Sequence, residues 1–372
     1  MKRRSAIGRI AASGIAVTAG GLGGCAVAPG VRQSSESEIT TRFSTAHQLS
    51  HPFVCAGMAF VCDTPELAIA VGRAGAAGCL AGTLLSPTTL ADRIQTIQSN
   101  TDGFFHVNLL TPFPHESHID VCIAQQVPAV SFHWGHPDPA TVNKLSEANI
   151  AVWVQVGNAI DAQQAVGYGA SCIVAQGSEA GGHNYGQLPL SMLLAEIRLA
   201  VGDGPMVLGA GGIADGRTAA AALLAGADGV WVGTRMVATS QANAHPEYQR
   251  RLVAAGGSDT VLTGVYGPEN PKFNPIRVVR NDTVDRWQHR LKDIPADRSA
   301  MTSIGRTRFG EGMIDIKPFD SFGPVPETTG PFDQMPIMAG QGVGLIQSVE
   351  PAGQVIQSMM AQAARQIDAL VS

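Results

Sequence analysis

One histidine is singled out by its surroundings. His183 closes the run Gln176-Gly177-Ser178-Glu179-Ala180-Gly181-Gly182-His183, which follows the apolar, β-branched segment Ser171-Cys172-Ile173-Val174-Ala175. Three glycines keep this loop thin, so a flat ligand can approach its backbone while an imidazole reaches the ligand's face. A neutral imidazole removes a proton from a weak carbon acid near neutral pH. Taken alone, His183 reads equally well as a loop histidine that only hydrogen-bonds. Its neighbours favour the base. Gly209-Ala210-Gly211-Gly212 follows the next apolar segment and opens a helix near Asp215, and Gly233-Thr234-Arg235 follows the segment after that. Backbone N–H groups at a helix N-terminus, approached closely over glycine, suit a phosphate. Thr234 adds a hydroxyl.

Further polar residues close other apolar segments. Asn108 and Gln176 can offer amides to the edge of a heterocycle, and His133, before Trp134-Gly135, is a substrate-side contact. His47, His51, His106, His115 and His118 lack a glycine-rich context and read as structural. Gly209-x-Gly211-x-x-Ala214 also fits a dinucleotide fingerprint with Asp228 as its acid. That acid precedes its strand, at the wrong end of a sheet, and the motif comes late in the chain. No Gly-x-Ser-x-Gly elbow is present, which disfavours a serine hydrolase.

These loops need a frame. Eight short apolar runs recur every 20–30 residues: Phe53–Met58, Ala77–Ala81, Phe104–Leu110, Ala129–Phe132, Ala151–Val156, Cys172–Ala175, Met206–Leu208 and Val230–Val232. Amphipathic stretches lie between them, such as Thr64–Ala74, Pro87–Ser99, Asp138–Ala148, Asp161–Gly167, Leu190–Ala200 and Asp215–Leu224. The runs are continuously apolar, as strands covered on both faces must be. The pattern predicts an α/β fold, a (β/α)8 barrel, over 45–242, with a doubly wound open sheet as the competitor. The phosphate loops then fall after strands seven and eight. The rhythm breaks after 242. Residues 243–335 read as a smaller cap or substrate domain, helical and irregular over 293–335. Residues 336–372 read as a glycine-rich return loop and a closing helix, Pro351–Leu370, packed on the barrel.

Composition is that of a globular chain: 45% hydrophobic and 15% charged over 372 residues. A net charge of −5 leaves no basic footprint for nucleic acid. The N-terminus reads as an export signal over 1–25. Arg3-Arg4 resembles a twin-arginine pair, and Leu22-Gly23-Gly24-Cys25 a lipobox with Cys25 as the lipidated residue. Residues 26–44 read as a flexible tether. The expected location is periplasmic or membrane-anchored, with the membrane touched only through that anchor. Six cysteines show no Cys-x-x-Cys and no zinc spacing, so no metal is expected. Cys55 and Cys62 can approach each other, though a disulfide is not the favoured reading.

With these residues in place, the chain from about 50 to 370 resembles the nitronate monooxygenase family, formerly 2-nitropropane dioxygenases. That family shares its FMN-binding barrel with the flavin-type enoyl-acyl carrier protein reductase. The resemblance rests on Pro52–Met58, Pro65-Glu66-Leu67-Ala68, Val107-Asn108-Leu109, Ala175–His183, Gly209–Gly216, Gly229–Met236 and Ala339-Gly340-Gln341-Gly342. It implies FMN, with its phosphate on Gly211, Gly212, Gly233 and Thr234. The ring would lie against Ala56-Gly57-Met58 and near Gly181 and Gly182, with Asn108 and Gln176 at its polar parts. His183 would be the catalytic base, and His133 and Gln341 would face the substrate. The implied reaction is oxidation of nitronates or nitroalkanes by dioxygen to a carbonyl compound and nitrite. The Gly57-Met58 pair is closer to the reductase branch, so an NAD(P)H-dependent reductase is the alternative, and a non-catalytic flavin-binding lipoprotein a further one. The export signal favours the oxidase, because NADH is scarce outside the cytoplasm.

Overall fold

The computed structural model describes residues 38–371. The expected signal, the lipidation site Cys25 and the tether as far as residue 37 lie outside the described residues.

Eight parallel strands form the frame: β1 (Phe53–Cys55), β2 (Gly78–Ala81), β3 (Phe105–Leu110), β4 (Ala129–His133), β5 (Ala151–Val156), β6 (Cys172–Gln176), β7 (Met206–Ala210) and β8 (Gly229–Val232). Each lies within or overlaps one of the eight apolar runs. Their order runs β1, β8, β7, β6, β5, β4, β3, β2. A parallel bridge between Val54 and Ala77 joins the two ends, with Cys55 N–H donating to Ala77 and Ala77 N–H to Phe53, both at 2.9 Å. The sheet is therefore a closed barrel, and the open-sheet alternative is excluded.

Alternation along each strand sends residues to two cores. Val54, Trp153, Val174, Leu208 and Trp231 fill the interior. Phe53, Cys55, Val154, Ile173 and Val230 pack under the surrounding helices. Several helices start at a capping residue. Asp215 accepts the Thr218 N–H at 2.9 Å in a reciprocal capping box before Gly216–Leu224. Pro65 opens Pro65–Arg73 after Thr64, whose side chain makes no cap bond. One helix, Glu116–Ala124, falls outside the stretches singled out in the sequence, and its cap residue His115 makes no side-chain cap bond.

The barrel begins earlier than the expected boundary at 45. Thr41 caps a short helix, Arg42–Ala46, in which Phe43 is fully buried. Phe43 meets Trp153 at 5.5 Å between ring centroids, and Trp153 stacks on Phe104 at 5.8 Å. These rings plug the N-terminal end of the barrel, so Phe43 and Ser44 belong to its core and residues 41–44 are not tether. Asp228 sits at this same end. It accepts from Arg198 at 2.6 Å, Arg42 at 3.0 Å and the Val207 N–H at 2.8 Å. Burial pushes its carboxyl up, but the Arg42 and Arg198 guanidiniums and the Val207 amide overcome that and hold it below its ordinary value. It is a clamp and not a ribose ligand.

The cap is an insertion between β8 and the last barrel helix. Ala352–Val371 packs between Gly216–Leu224 and Pro65–Arg73. There Gln362 accepts the Gly216 N–H at 2.8 Å. Within the cap, Thr260–Thr263 and Ile276–Val279 pair antiparallel, and Ile276–Arg277 pairs in turn with Gly182–His183. The expected irregular stretch after 293 contains an antiparallel hairpin, Gly305–Phe309 with Gly312–Ile316. Gly310 takes φ +58° in its turn, which accounts for the glycine.

Candidate active site

A cavity of about 380 Å³ opens at the C-terminal ends of the strands. The strand ends and the loops that follow line it: Ala56, Gly57 and Met58 after β1, Asn108 in β3, His133 ending β4, Gln176 ending β6, Gly211 and Gly212 after β7, and Gly233 and Thr234 after β8. Gly181, Gly182 and His183 complete the wall. Nearly every residue the sequence singles out thus meets in one space. Gln341 is the exception. Its side chain is exposed and does not line the cavity, whereas its neighbours Gly340 and Gly342 do. The physical reason is the tight packing of this return loop. A Cβ on Gly342 would lie 2.3 Å from the Gly212 carbonyl, and one on Gly181 would lie 2.4 Å from the Gly340 nitrogen. With glycine backbones facing the cavity, the intervening side chain points outward.

His183 is held by the cap. It pairs with Ile276 in the short antiparallel ladder, and its Nδ1–H donates to the carbonyl of Phe273. That bond assigns the proton to Nδ1 and leaves Nε2 with its lone pair. Burial lowers its pKa, with the Phe273 carbonyl opposing. The neutral form is therefore favoured, as a base requires. Trp134 meets His183 edge-on at 5.5 Å and Phe273 at 5.5 Å. Trp134 takes φ +69° and Gly135 φ +116°, a turn that folds the indole across the cavity mouth. Trp134 and Phe273 were not singled out as site residues in the sequence. The consecutive Trp-Gly after a strand was the visible signal for the first, while Phe273 arrives from a cap segment with no motif.

The loop bearing His183 is fixed from both sides. Buried Asn184 donates to the carbonyls of Gly177 at 3.0 Å and Ala180 at 3.3 Å, and accepts the Gly186 N–H at 2.9 Å. Arg277 donates to the Ser178 carbonyl at 2.9 and 3.2 Å. Glu179 accepts the Leu190 N–H at the start of the next helix, at 3.0 and 3.1 Å.

The glycine cradle has the shape a phosphate needs. Gly211 and Gly212 take φ +120° and +69°, conformations that side chains rarely adopt. A Cβ on Gly211 would lie 3.2 Å from the Gly177 carbonyl. Thr234 Oγ1 accepts the Gly340 N–H at 2.9 Å, which leaves its own proton to donate. The polar wall holds buried groups without a partner. Gln176 donates its amide to the His183 carbonyl at 3.1 Å, and its buried Oε1 has no partner. His133 Nδ1 is likewise buried and unpartnered. Burial, with His183 close by, pushes its pKa down to about 3. The unpartnered Gln176 oxygen, the unpartnered His133 nitrogen and the cradle fit a phosphorylated heterocycle with a polar edge.

The closed barrel, the glycine cradle after β7 and β8, and the His183 imidazole on the same cavity define a flavin-dependent oxidoreductase of the barrel type. The family model for nitronate monooxygenase matches residues 41–120 and 113–362, and the chain belongs to that family. Among its relatives is the (3aS,4S,5R,7aS)-5-hydroxy-7a-methyl-1-oxo-octahydro-1H-indene-4-carboxyl-CoA dehydrogenase of Rhodococcus jostii, 32% identical over 254 residues, 68% of this chain and 69% of that one. Among solved structures, FabK from Thermotoga maritima superposes with a TM-score of 0.75 at 29% identity, over 90% of this chain and 99% of that one. The nitroalkane oxidase of Streptomyces ansochromogenes superposes with a TM-score of 0.70 at 26% identity, over 88% and 99%.

Proposed function

We propose that this protein binds FMN and oxidises nitronates and nitroalkanes with dioxygen, giving a carbonyl compound and nitrite, with His183 as the base for neutral substrates. The observation that carries this reading is the His183 imidazole, its Nδ1 proton committed to the Phe273 carbonyl and its Nε2 free, on the wall of the cavity that also holds the glycine cradle. No lysine or arginine lines that cavity among the described residues. The phosphate of FMN would therefore be held by backbone N–H groups at Gly211, Gly212 and Gly233 and by the Thr234 hydroxyl. Bound FMN supplies the redox chemistry between substrate and dioxygen. The chain supplies position and a proton acceptor. Trp134 and Phe273 pack on His183, with Tyr185 behind Trp134, and would limit water at the reacting carbon. Replacing His183 with Asn should slow turnover of neutral nitroalkanes by about 10²–10⁴-fold while nitronate turnover changes little. Equal loss on both substrates removes the base assignment.

A second reading is an NAD(P)H-dependent reductase. The superposition on FabK over 90% of this chain favours it, as does Gly57-Met58. The two separate cleanly. Anaerobic NADH should leave the reconstituted flavin yellow, and a nitronate should bleach it. Bleaching by NADH alone supports the reductase. We also propose export and anchoring through Cys25, resting on Arg3-Arg4 and Leu22–Cys25 alone. Cys25→Ser should move the protein from the membrane fraction to the soluble one.

A further inference from the structure

Beneath the cavity, a chain of three hydrogen bonds crosses the barrel interior. His106 Nε2 lies 3.0 Å from the carbonyl of Cys55, its Nδ1 lies 2.8 Å from Ser131 Oγ, and Asn108 Nδ2 lies 2.9 Å from the same Oγ. His106 is fully buried, with its ring 5.2 Å from Trp153 and 4.8 Å from Trp231. Burial pushes its pKa down to about 4, so the ring is neutral and carries one N–H.

The polarity of this chain is set at its far end. A peptide carbonyl only accepts, so the Cys55 oxygen requires the proton on Nε2. Nδ1 is then an acceptor, and the Ser131 hydroxyl must donate to it. With its proton spent, Ser131 Oγ can only accept, and Asn108 must turn its amide nitrogen inward. That nitrogen also lies 3.4 Å from the Ser131 carbonyl, a second acceptor that would repel an oxygen placed there. Among the described residues Asn108 Oδ1 makes no hydrogen bond, and Asn108 lines the cavity.

We propose that His106 and Ser131 are positioning residues that lock Asn108 with its carbonyl oxygen toward the cavity, where it reads a ring N–H of the bound flavin. The proposal rests on the FMN reading and adds a specificity to it. An oxidised isoalloxazine has a single ring N–H, at N3. A cofactor methylated there has no donor to offer an acceptor whose orientation cannot reverse. An amide free to flip would offer its NH2 group and tolerate the change.

The test measures binding of FMN and of 3-methyl-FMN to the apoprotein by flavin fluorescence, without turnover. Wild type should prefer FMN by about tenfold or more, the scale of one buried hydrogen bond. Ser131→Ala leaves only the more distant 3.4 Å carbonyl to orient the amide and should bring that preference below about threefold, and Ser131→Thr, which keeps the hydroxyl, should restore it. A side chain that merely packs would weaken both flavins in parallel and leave the ratio alone. A Ser131→Ala protein with the wild-type ratio overturns the proposal and makes Gln176 the reader. If Ser131→Ala does not fold, Asn108→Ala decides: it must lose the preference, and a preference retained overturns the proposal. A wild type that binds both flavins equally overturns the relay alone. One that binds neither overturns the FMN reading together with it.

Discussion

The Asn108 amide lies directly over the α-carbon of Gly57. A Cβ built on Gly57 would stand 2.2 Å from Asn108 Cγ, 2.4 Å from Oδ1 and 2.6 Å from Nδ2. The amide cannot swing away cheaply, because Ser131 holds its nitrogen. Gly57→Ala should therefore destabilise the fold by about 1–3 kcal/mol and displace the amide. Denaturant unfolding and FMN titration check this: FMN affinity should fall, and adding Asn108→Ala to Gly57→Ala should recover stability without recovering affinity. Unchanged affinity in the single variant contradicts the placement of the flavin at this strand end.

The His183 tautomer makes a pH prediction. Burial holds its pKa below the ordinary 6.5. Proton removal needs the neutral ring, so kcat/KM for a neutral nitroalkane should be flat at neutral pH. It should fall on acidification with a midpoint below 6.5. A nitronate has already lost its proton and should show no such limb. A limb common to both substrates points to another group.

Much of this site is legible in the sequence, and the reason is local. A buried strand followed by glycines is a contiguous signal, so Gly211, Gly212, Gly233 and Thr234 announce themselves, as does the histidine after Gly181-Gly182. All eight strands were readable because burial on both faces forces continuous apolar runs. What was not readable comes from distant segments. Phe273 reaches His183 across 90 residues of sequence. His106 looks like an ordinary core histidine until β3 and β4 are in register, which sets Asn108 beside Ser131. Phe43 sits in a stretch of polar neighbours, and only the barrel's open lower end explains its burial. Gln341 failed because a motif gives position along the chain and not the direction of a side chain.

Buried neutral imidazoles make the fold acid-sensitive. His106 falls to about 4 and His133 to about 3 in the folded protein, mainly through burial. In the unfolded chain both titrate near 6.5. Below that value the unfolded state binds more protons, so stability drops as pH falls and stops dropping only below the folded values. His106 alone should cost about 2 kcal/mol between pH 7 and pH 5. Urea unfolding at the two pH values measures this, and His106→Gln should flatten the dependence by that amount. An unchanged slope in the variant would place the titration elsewhere.

The cap is tied to the barrel by a nearly buried ion pair. Arg308, on the cap hairpin, donates to Asp63 Oδ2 at 2.9 Å and to Oδ1 at 3.3 Å, and Asn243 donates to Oδ1 at 3.0 Å. The two side chains are 17% and 7% exposed. Next to Arg308, Phe309 packs on Phe60 and Phe322 at 5.9 and 5.3 Å, and all three rings line the cavity. Arg308→Ala strips the Asp63 carboxylate of the one arginine that hydrogen-bonds it among the described residues, with Arg93 close by, and should cost about 3 kcal/mol. Because the hairpin carries one aromatic wall, KM for an apolar substrate should rise. FMN affinity should hold, since the proposed phosphate cradle lies after β7 and β8. Asp63→Asn with Arg308→Met removes both charges and should recover most of the stability. If the single variant instead loses FMN at unchanged KM, the hairpin supports the cofactor and not the substrate wall.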